Sequence, residues 1–312
     1  MSILRNIVTG GAGFIGSHLI DSLISNGQHV ICIDNFSSGF KKNIEHWINN
    51  PKFELINHDI INPIELEADR IWHLACPASL SQYQQDPIKT SKINFIGTLN
   101  MLELSRKLGA KFLLASSSEV YGDPKEHPQK ESYWGFVNSI GARSCYDEGK
   151  RIAESLTFDF ARSFNLDIKI ARIFNTYGPR IQPDDGRVIS NFICQALRKE
   201  QVTIYGKGTQ TRSFCFISDL INGLSKLMNS PHKGPVNLGN PEEINIFNLA
   251  SLINDKVGNK FEFINHPLPE NDPSRRKPDI TLAKSSLFWS PKINLSEGID
   301  QTIHYFKETH LL

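Results

Sequence analysis

The chain has 312 residues, 39% hydrophobic and 21% charged, with a formal net charge of +1. That length builds one large or two smaller domains around a sizeable core, and the near-neutral balance supplies no bulk field for nucleic acid or an anionic membrane surface. Five cysteines, at 32, 76, 145, 194 and 215 and never in CxxC spacing, exclude the usual zinc and disulfide frameworks and fit a reducing compartment.

The first predicted strand, Ile3–Val8, runs into TGGAGFIG. Gly10, Gly13 and Gly16 form GxxGxxG, and Gly11 starts an overlapping GxGxxG. A glycine pattern alone is weak, but this one follows a strand, opens an amphipathic helix and precedes a second strand, His29–Ile33, that leads into Asp34. Backbone N–H groups there can approach a pyrophosphate at a helix N-terminus. Asp34 can accept both ribose hydroxyls and would repel a 2′-phosphate, so NAD is expected rather than NADP. Asp59, after the third strand Phe53–Asn57, reads either as a contact for the adenine amino group or as a solvated strand-end aspartate.

Strand Arg70–Leu74 follows, with His73 read as a packed strand-end residue. A helical stretch, Pro87–Leu108, comes next. Strand Lys111–Ala115 then opens into ASSSEVYG (115–122), setting Glu119 where a buried strand ends. A helix over Arg143–Phe164 carries Tyr146 and Lys150, four apart and therefore on one face. A tyrosine acting as base near pH 7 needs its pKa lowered by about 3 units, roughly 4 kcal/mol, and a nearby ammonium or oxidised nicotinamide favours that. Ser117 can hydrogen-bond the reacting hydroxyl. Strand Asp167–Ile173 closes the alternating half, which predicts a doubly wound parallel α/β sheet.

Beyond Thr176 the pattern loosens. YGPRIQPDDG interrupts it, a helix is predicted near Val188–Lys199, and the four prolines of 266–278 predict an exposed loop. The expected division is a dinucleotide-binding domain over 1–175 and a smaller α/β substrate domain over 176–312, with segments near 211–240 crossing back. No HExxH-type spacing suggests a metal. No apolar run reaches the roughly 18–20 residues of a membrane span, and the N-terminal residues lack signal-peptide order, so a cytoplasmic protein is expected.

The glycine loop, Ser117 and the Tyr146/Lys150 pair together resemble the extended short-chain dehydrogenase/reductase family, whose fold is Rossmann-type. The resemblance implies Tyr146 as general base and Lys150 as the group that lowers its pKa and holds the nicotinamide ribose. Ser117 would then orient substrate, and Asn94 would be a structural asparagine. It extends the cofactor set to Phe14, Ile15, Asn35, Ile60, Leu74 and Ala75.

Within that family, Ser118 stands where 4,6-dehydratases resemble one another in an aspartate acid, while Glu119 remains. SEVYG is similar instead to UDP-glucuronate decarboxylases. HLACPAS (73–79), YWGFVN (133–138), RSCYDEGKR (143–151), ARIFNTYGPR (171–180), DDGRVISNF (184–192), TRSFCFISDL (211–220) and RRKPDI (275–280) extend the match. Leu80 and Ser139 depart from it at loop positions where proline is common. This resemblance implies UDP-glucuronate as substrate, UDP-xylose as product, NAD regenerated in the cycle, and a homodimer packed through the two long helical stretches. It implies Glu119 as an acid/base or carboxylate-repelling group and Arg276 as a decarboxylation-linked arginine on a mobile loop. Asn175, Arg180, Arg187, Tyr205, Gln210 and Arg212 are the further expected substrate contacts, Tyr205 beneath uracil. The alternatives are an oxidative decarboxylase releasing a 4-keto pentose with NADH, a related epimerase or dehydratase, and a non-catalytic nucleotide sensor. The last is disfavoured because Tyr146 and Lys150 are both present.

Overall fold

The computed structural model describes residues 3–183, 185–258, 263–267 and 275–309. In chain order the first half carries β1 (Arg5–Thr9), α1 (Phe14–Ser25), β2 (His29–Asp34), β3 (Phe53–Asn57) and β4 (Arg70–His73). Then come α2 (Leu80–Gln85), α3 (Pro87–Lys92), α4 (Thr98–Leu108), β5 (Lys111–Ser117), α5 (Ser144–Phe164) and β6 (Ile168–Ile173). The second half carries β7 (Thr176–Tyr177), α6 (Val188–Leu197), β8 (Val202–Tyr205), β9 (Thr211–Ser213), β10 (Cys215–Phe216), α7 (Ile217–Asn229) and β11 (Val236–Leu238). After these follow β12 (Glu243–Asn245), α8 (Ile246–Val257), β13 (Phe263–His266), β14 (Arg275–Arg276), α9 (Thr281–Leu287) and α10 (Leu295–Glu308).

Seven strands form one sheet in the order β11-β6-β5-β4-β1-β2-β3, every pair parallel. Side chains alternate across a strand, so neighbours in sequence serve opposite faces. Val8, Cys32, Trp72 and Leu113 pack with Leu19 and Ile20 of α1 and Leu220 and Leu224 of α7. Ile7, Ile31, Ile71, Phe112 and Leu114 pack on the other face with Met101 and Leu102 of α4 and Ala153 and Phe160 of α5. Two covered faces are what a parallel sheet needs, and they explain why the strands read as continuous apolar runs. Strand order reverses between β1 and β4, which opens a crevice beyond the carboxyl ends of those strands.

The helical stretch expected over 87–108 is present, with a wide π-type turn at Ile93–Gly97 joining α3 to α4. That turn buries Asn94, whose Nδ2 donates to Thr90 O at 3.1 Å while its Oδ1 accepts from Cys76 Sγ at 3.3 Å. The expected exposed loop over 266–278 contains ordered structure at both described ends: His266 closes β13, and β14 pairs parallel with β9. Residues 268–274 lie outside the described residues.

Short sheets β12-β9-β14, β13-β8 and β10-β7 sit beyond the carboxyl edge of the large sheet and supply the far wall of the crevice. β11 returns after them to extend the large sheet beside β6. Among the described residues, no helix is long and apolar enough to cross a membrane.

Candidate active site

The crevice holds a cavity of about 780 Å³ whose wall runs from the β1–α1 turn to β9. At one end, Gly10 has φ +68°, and a Cβ there would lie 2.8 Å from the Ala75 backbone. A Cβ on Gly16 would meet Gly10 O at 2.2 Å, so glycine lets α1 start flush against the turn. No side chain caps α1, leaving its first N–H groups for a ligand on the cavity wall formed by Gly10, Gly13, Phe14, Ile15 and Gly16.

Asp34, at the end of β2, accepts from Ala12 N at 2.9 Å and Phe36 N at 2.8 Å. Burial raises its carboxyl above the ordinary range against the pull of those two hydrogen bonds. Each oxygen keeps a further lone pair for a hydroxyl. Asn35, Asp59, Ile60, Leu74 and Ala75 line the same end. Asp59 accepts from Asn35 Nδ2 at 2.9 Å and pairs with Lys89 at 3.4 Å. The cradle, the uncapped helix and an acidic strand end fit a dinucleotide lacking a 2′-phosphate.

Midway along the cavity, Tyr146 and Lys150 emerge from α5 beside the end of β5. Tyr146 is 6% exposed and stacks on Tyr83, with centroids 5.1 Å apart and planes at 11°. Burial pushes its phenol up, the Cys76 thiol adds to this, and a hydrogen bond with Ser117 opposes it. The direction is opposite to the lowering expected from Lys150. Lys150 Nζ instead donates to Ala115 O at 3.0 Å and stands 5.7 Å from the Tyr146 ring centroid. Ser117 Oγ also accepts from Glu119 N at 3.2 Å, which fixes the turn after β5. His73 is buried between Thr9 Oγ1 at 2.9 Å and Thr98 Oγ1 at 3.2 Å; burial drives its pKa down to about 3, and the Lys150 charge reinforces that. It is a neutral strand-end residue.

Glu119 is held by two guanidiniums: Arg143 Nη2 reaches Oε2 at 2.7 Å and Arg276 Nη1 reaches Oε1 at 2.9 Å. Burial alone would raise this carboxyl, but the two arginines outweigh it and hold it below the ordinary range. Arg276 is not on an exposed loop. It is 2% exposed in β14, behind Glu119 rather than on the cavity wall, and also donates to Ser118 Oγ at 3.2 Å and Gly122 O at 2.9 Å. Pairing with β9 fixes its backbone and Glu119 neutralises its charge, which is why the proline count misleads here.

At the far end Asn175, Arg187, Tyr205, Gln210 and Arg212 line the cavity. Tyr205 is 45% exposed, and Gln210 Nε2 donates to its carbonyl at 2.8 Å. Arg187 pairs with Asp185 at 3.3 Å. Arg180 is the exception among the expected contacts. It pairs with Asp21 of α1 at 2.7 Å and is absent from the cavity wall.

The family model of GDP-mannose 4,6 dehydratase matches residues 7–302. UDP-glucuronic acid decarboxylase 4 of Arabidopsis thaliana is 56% identical over 306 residues, 98% of this chain and 69% of the relative. UDP-glucuronic acid decarboxylase 1 of Xenopus tropicalis is 55% identical over 304 residues, 97% of this chain and 72% of the relative. The chain belongs to the UDP-glucuronic acid decarboxylase family. In structure it is similar to the UDP-glucuronic acid 4-epimerase of Bacillus cereus solved with UDP-glucuronic acid and NAD (TM-score 0.89, 30% identity, 98% of this chain and 100% of that one). It is also similar to the UDP-glucose 4-epimerase of Thermotoga maritima solved with UDP-glucose (TM-score 0.90, 31% identity, with the same coverage).

Three residues of this decarboxylase-family site escaped the sequence reading. Arg143 and Tyr83 both line the cavity, and Asp147 sits buried beside Tyr146. Arg143 and Asp147 lie inside RSCYDEGKR, but an arginine and a carboxylate near a helix start read as solvated charges. Only packing shows that Arg143 meets Glu119, 24 residues earlier, and approaches Asp147 as well. Among the described residues no group of His, Cys, Asp and Glu is placed to hold a metal ion.

Proposed function

We propose that this protein converts UDP-glucuronate to UDP-xylose, using NAD and regenerating it within each cycle. The observation that carries the reading is the Arg143–Glu119–Arg276 cluster at the end of β5, next to Ser117 and Tyr146 on one cavity. Relatives at 54–56% identity that bear the decarboxylase name support it, as does the UDP-glucuronic acid and NAD complex of the epimerase neighbour.

Tyr146 takes the proton from the carbon-4 hydroxyl while Ser117 donates a hydrogen bond to the same oxygen. Bound oxidised NAD supplies a hydride acceptor at carbon 4, a positive charge beside the phenol, and the hydride that is later returned. The resulting ketone lies β to the carbon-5 carboxylate, so loss of carbon dioxide leaves an enolate whose oxygen Tyr146 and Ser117 stabilise. A proton from solvent at carbon 5, then return of hydride to carbon 4 with the Tyr146 proton going back to the carbon-4 oxygen, would complete UDP-xylose. Glu119, ionised between two arginines, acts here through like-charge repulsion of the substrate carboxylate rather than as a proton donor. Lys150, tied to the Ala115 carbonyl, positions the nicotinamide ribose.

Asn175, Gln210 and Arg212 hold the diphosphate and Tyr205 stacks on uracil; their common wall and the exposure of Tyr205 support this. We assign dinucleotide binding to residues 1–175 with the returning β11, and the nucleotide sugar mainly to 176–312. The working form is a cytoplasmic homodimer, a reading favoured by five free cysteines and by exposed Ile88, Phe95 and Ile152 on the helical stretches either side of β5.

The test incubates the purified protein with UDP-glucuronate and catalytic NAD, identifies the sugar by NMR and follows nicotinamide absorbance. UDP-xylose without net NADH is expected. A 4-keto pentose with stoichiometric NADH would assign an oxidative decarboxylase instead, and unchanged UDP-glucuronate would overturn the reading.

A further inference from the structure

Two carboxylates and two guanidiniums meet beside Tyr146, and the charges are shared unequally. Glu119 takes Arg143 at 2.7 Å and Arg276 at 2.9 Å. Asp147, in the first turn of α5, keeps only a 3.9 Å approach from Arg143 Nε to its Oδ2. An aspartate at a helix start ordinarily spends its oxygens on first-turn N–H groups or water. Among the described residues, the Oδ1 of Asp147 is instead buried without a hydrogen-bond partner, and so is the hydroxyl of Tyr83, whose ring backs Tyr146.

We propose that Asp147 is a positioning residue for the reaction: protonated, it leaves Arg143 docked on Glu119, and ionised, it competes for the same guanidinium. The inference rests on the decarboxylase reading of this site. Arg143 lies between the two carboxylates and contacts both, one through Nη2 and the other through Nε, so what one gains the other loses. The groups that act on Asp147 come from every side. Arg143, Cys145 and Glu148 lie on its own helix, Glu119 on the turn after β5, Arg276 on β14 and Tyr83 on α2. Burial and the Glu119 charge push its carboxyl up to about 7, against Arg143 and Arg276. The change of state therefore falls at neutral pH. Ionised Asp147 draws Arg143 from Glu119 and leaves more of the Glu119 charge facing the substrate carboxylate, so turnover rises with pH through that range.

The experiment uses the full chain with 13C-labelled aspartate carboxyls, as wild type, Asp147→Asn and Glu119→Gln, each checked for folding by thermal melting. One aspartate resonance titrating at neutral pH is expected in wild type and absent from Asp147→Asn. In Glu119→Gln its midpoint drops by about one pH unit or more, because a like charge is gone and Arg143 is released to Asp147. A midpoint that Glu119→Gln leaves unmoved overturns the proposal, and this arm stands even if Asp147→Asn does not fold. In turnover of UDP-glucuronate, Asp147→Asn loses the alkaline rise, so the ratio of kcat at about pH 8.5 to that at about pH 6.5 falls roughly threefold or more below wild type. An unchanged ratio also overturns the proposal, since a merely structural aspartate would scale activity equally at all pH values. No turnover by wild type at any pH would instead sink the decarboxylase reading, leaving the carboxyl titration to decide whether the guanidinium is shared.

Discussion

At the scale of single residues, Glu119 and Asp147 show that a partner's distance outweighs a residue's type. Two guanidiniums within 3 Å hold Glu119 down, while burial with a guanidinium 3.9 Å away pushes Asp147 up. Their stability effects have opposite signs. Glu119 contributes stability that is present above its unfolded-state pKa and lost as pH falls through its lowered folded value. Asp147 contributes stability that is present below its unfolded-state pKa and lost as pH rises through about 7. Glu119→Gln leaves the buried Arg276 guanidinium without its carboxylate and is expected to cost about 3 kcal/mol near neutral pH, read by denaturant unfolding. Asp147→Asn is expected to melt above wild type at alkaline pH and to lose that advantage in acid, checked by calorimetry across the range. Tyr146→Phe keeps the ring stacked on Tyr83 but removes the hydroxyl proposed as the base. Turnover should fall by about 10³-fold with little change in melting temperature.

At the scale of elements, the meeting of β1 and α1 is the most constrained junction. Gly16 touches the Gly10 carbonyl so closely that any Cβ must displace α1 or the turn. Gly16→Ala is expected to cost about 1–3 kcal/mol through overpacking, and to weaken NAD binding more than it lowers stability; titration calorimetry and unfolding would separate the two. This junction was legible in the sequence because glycine's freedom at a strand–helix turn is a local property. The π-type turn at Ile93–Gly97 was not, since it answers to Cys76 and to packing of Gly97 on Ile60. Arg276 was misread for the same reason. Proline content described its neighbours, while its own burial comes from β9 and Glu119.

At the scale of the whole molecule, the large sheet buries both its faces under α1 and α7 on one side and α4 and α5 on the other. The outward surface beyond α4 and α5 still exposes Ile88 at 71%, with Phe95 and Ile152 near 40%. A second copy covering that surface would bury on the order of 1,600 Å² in total. Sedimentation velocity is expected to give a dimer, and Ile152→Glu to shift it toward monomer.

The sequence by itself determined the parallel sheet, the phosphate cradle, the acidic residue after β2 and the Tyr146/Lys150 face. Each of these is written in a repeat or spacing that the backbone converts directly into position. It placed Ser117 and Glu119 at the mouth of β5 for the same reason. Tertiary structure alone decided what those side chains touch. It sent Arg180 to Asp21 instead of the cavity, buried Arg276 behind Glu119, and brought Arg143 between two carboxylates. Charge partners are chosen in space, across loops whose paths no local pattern encodes, and burial then magnifies each choice into a shifted protonation state.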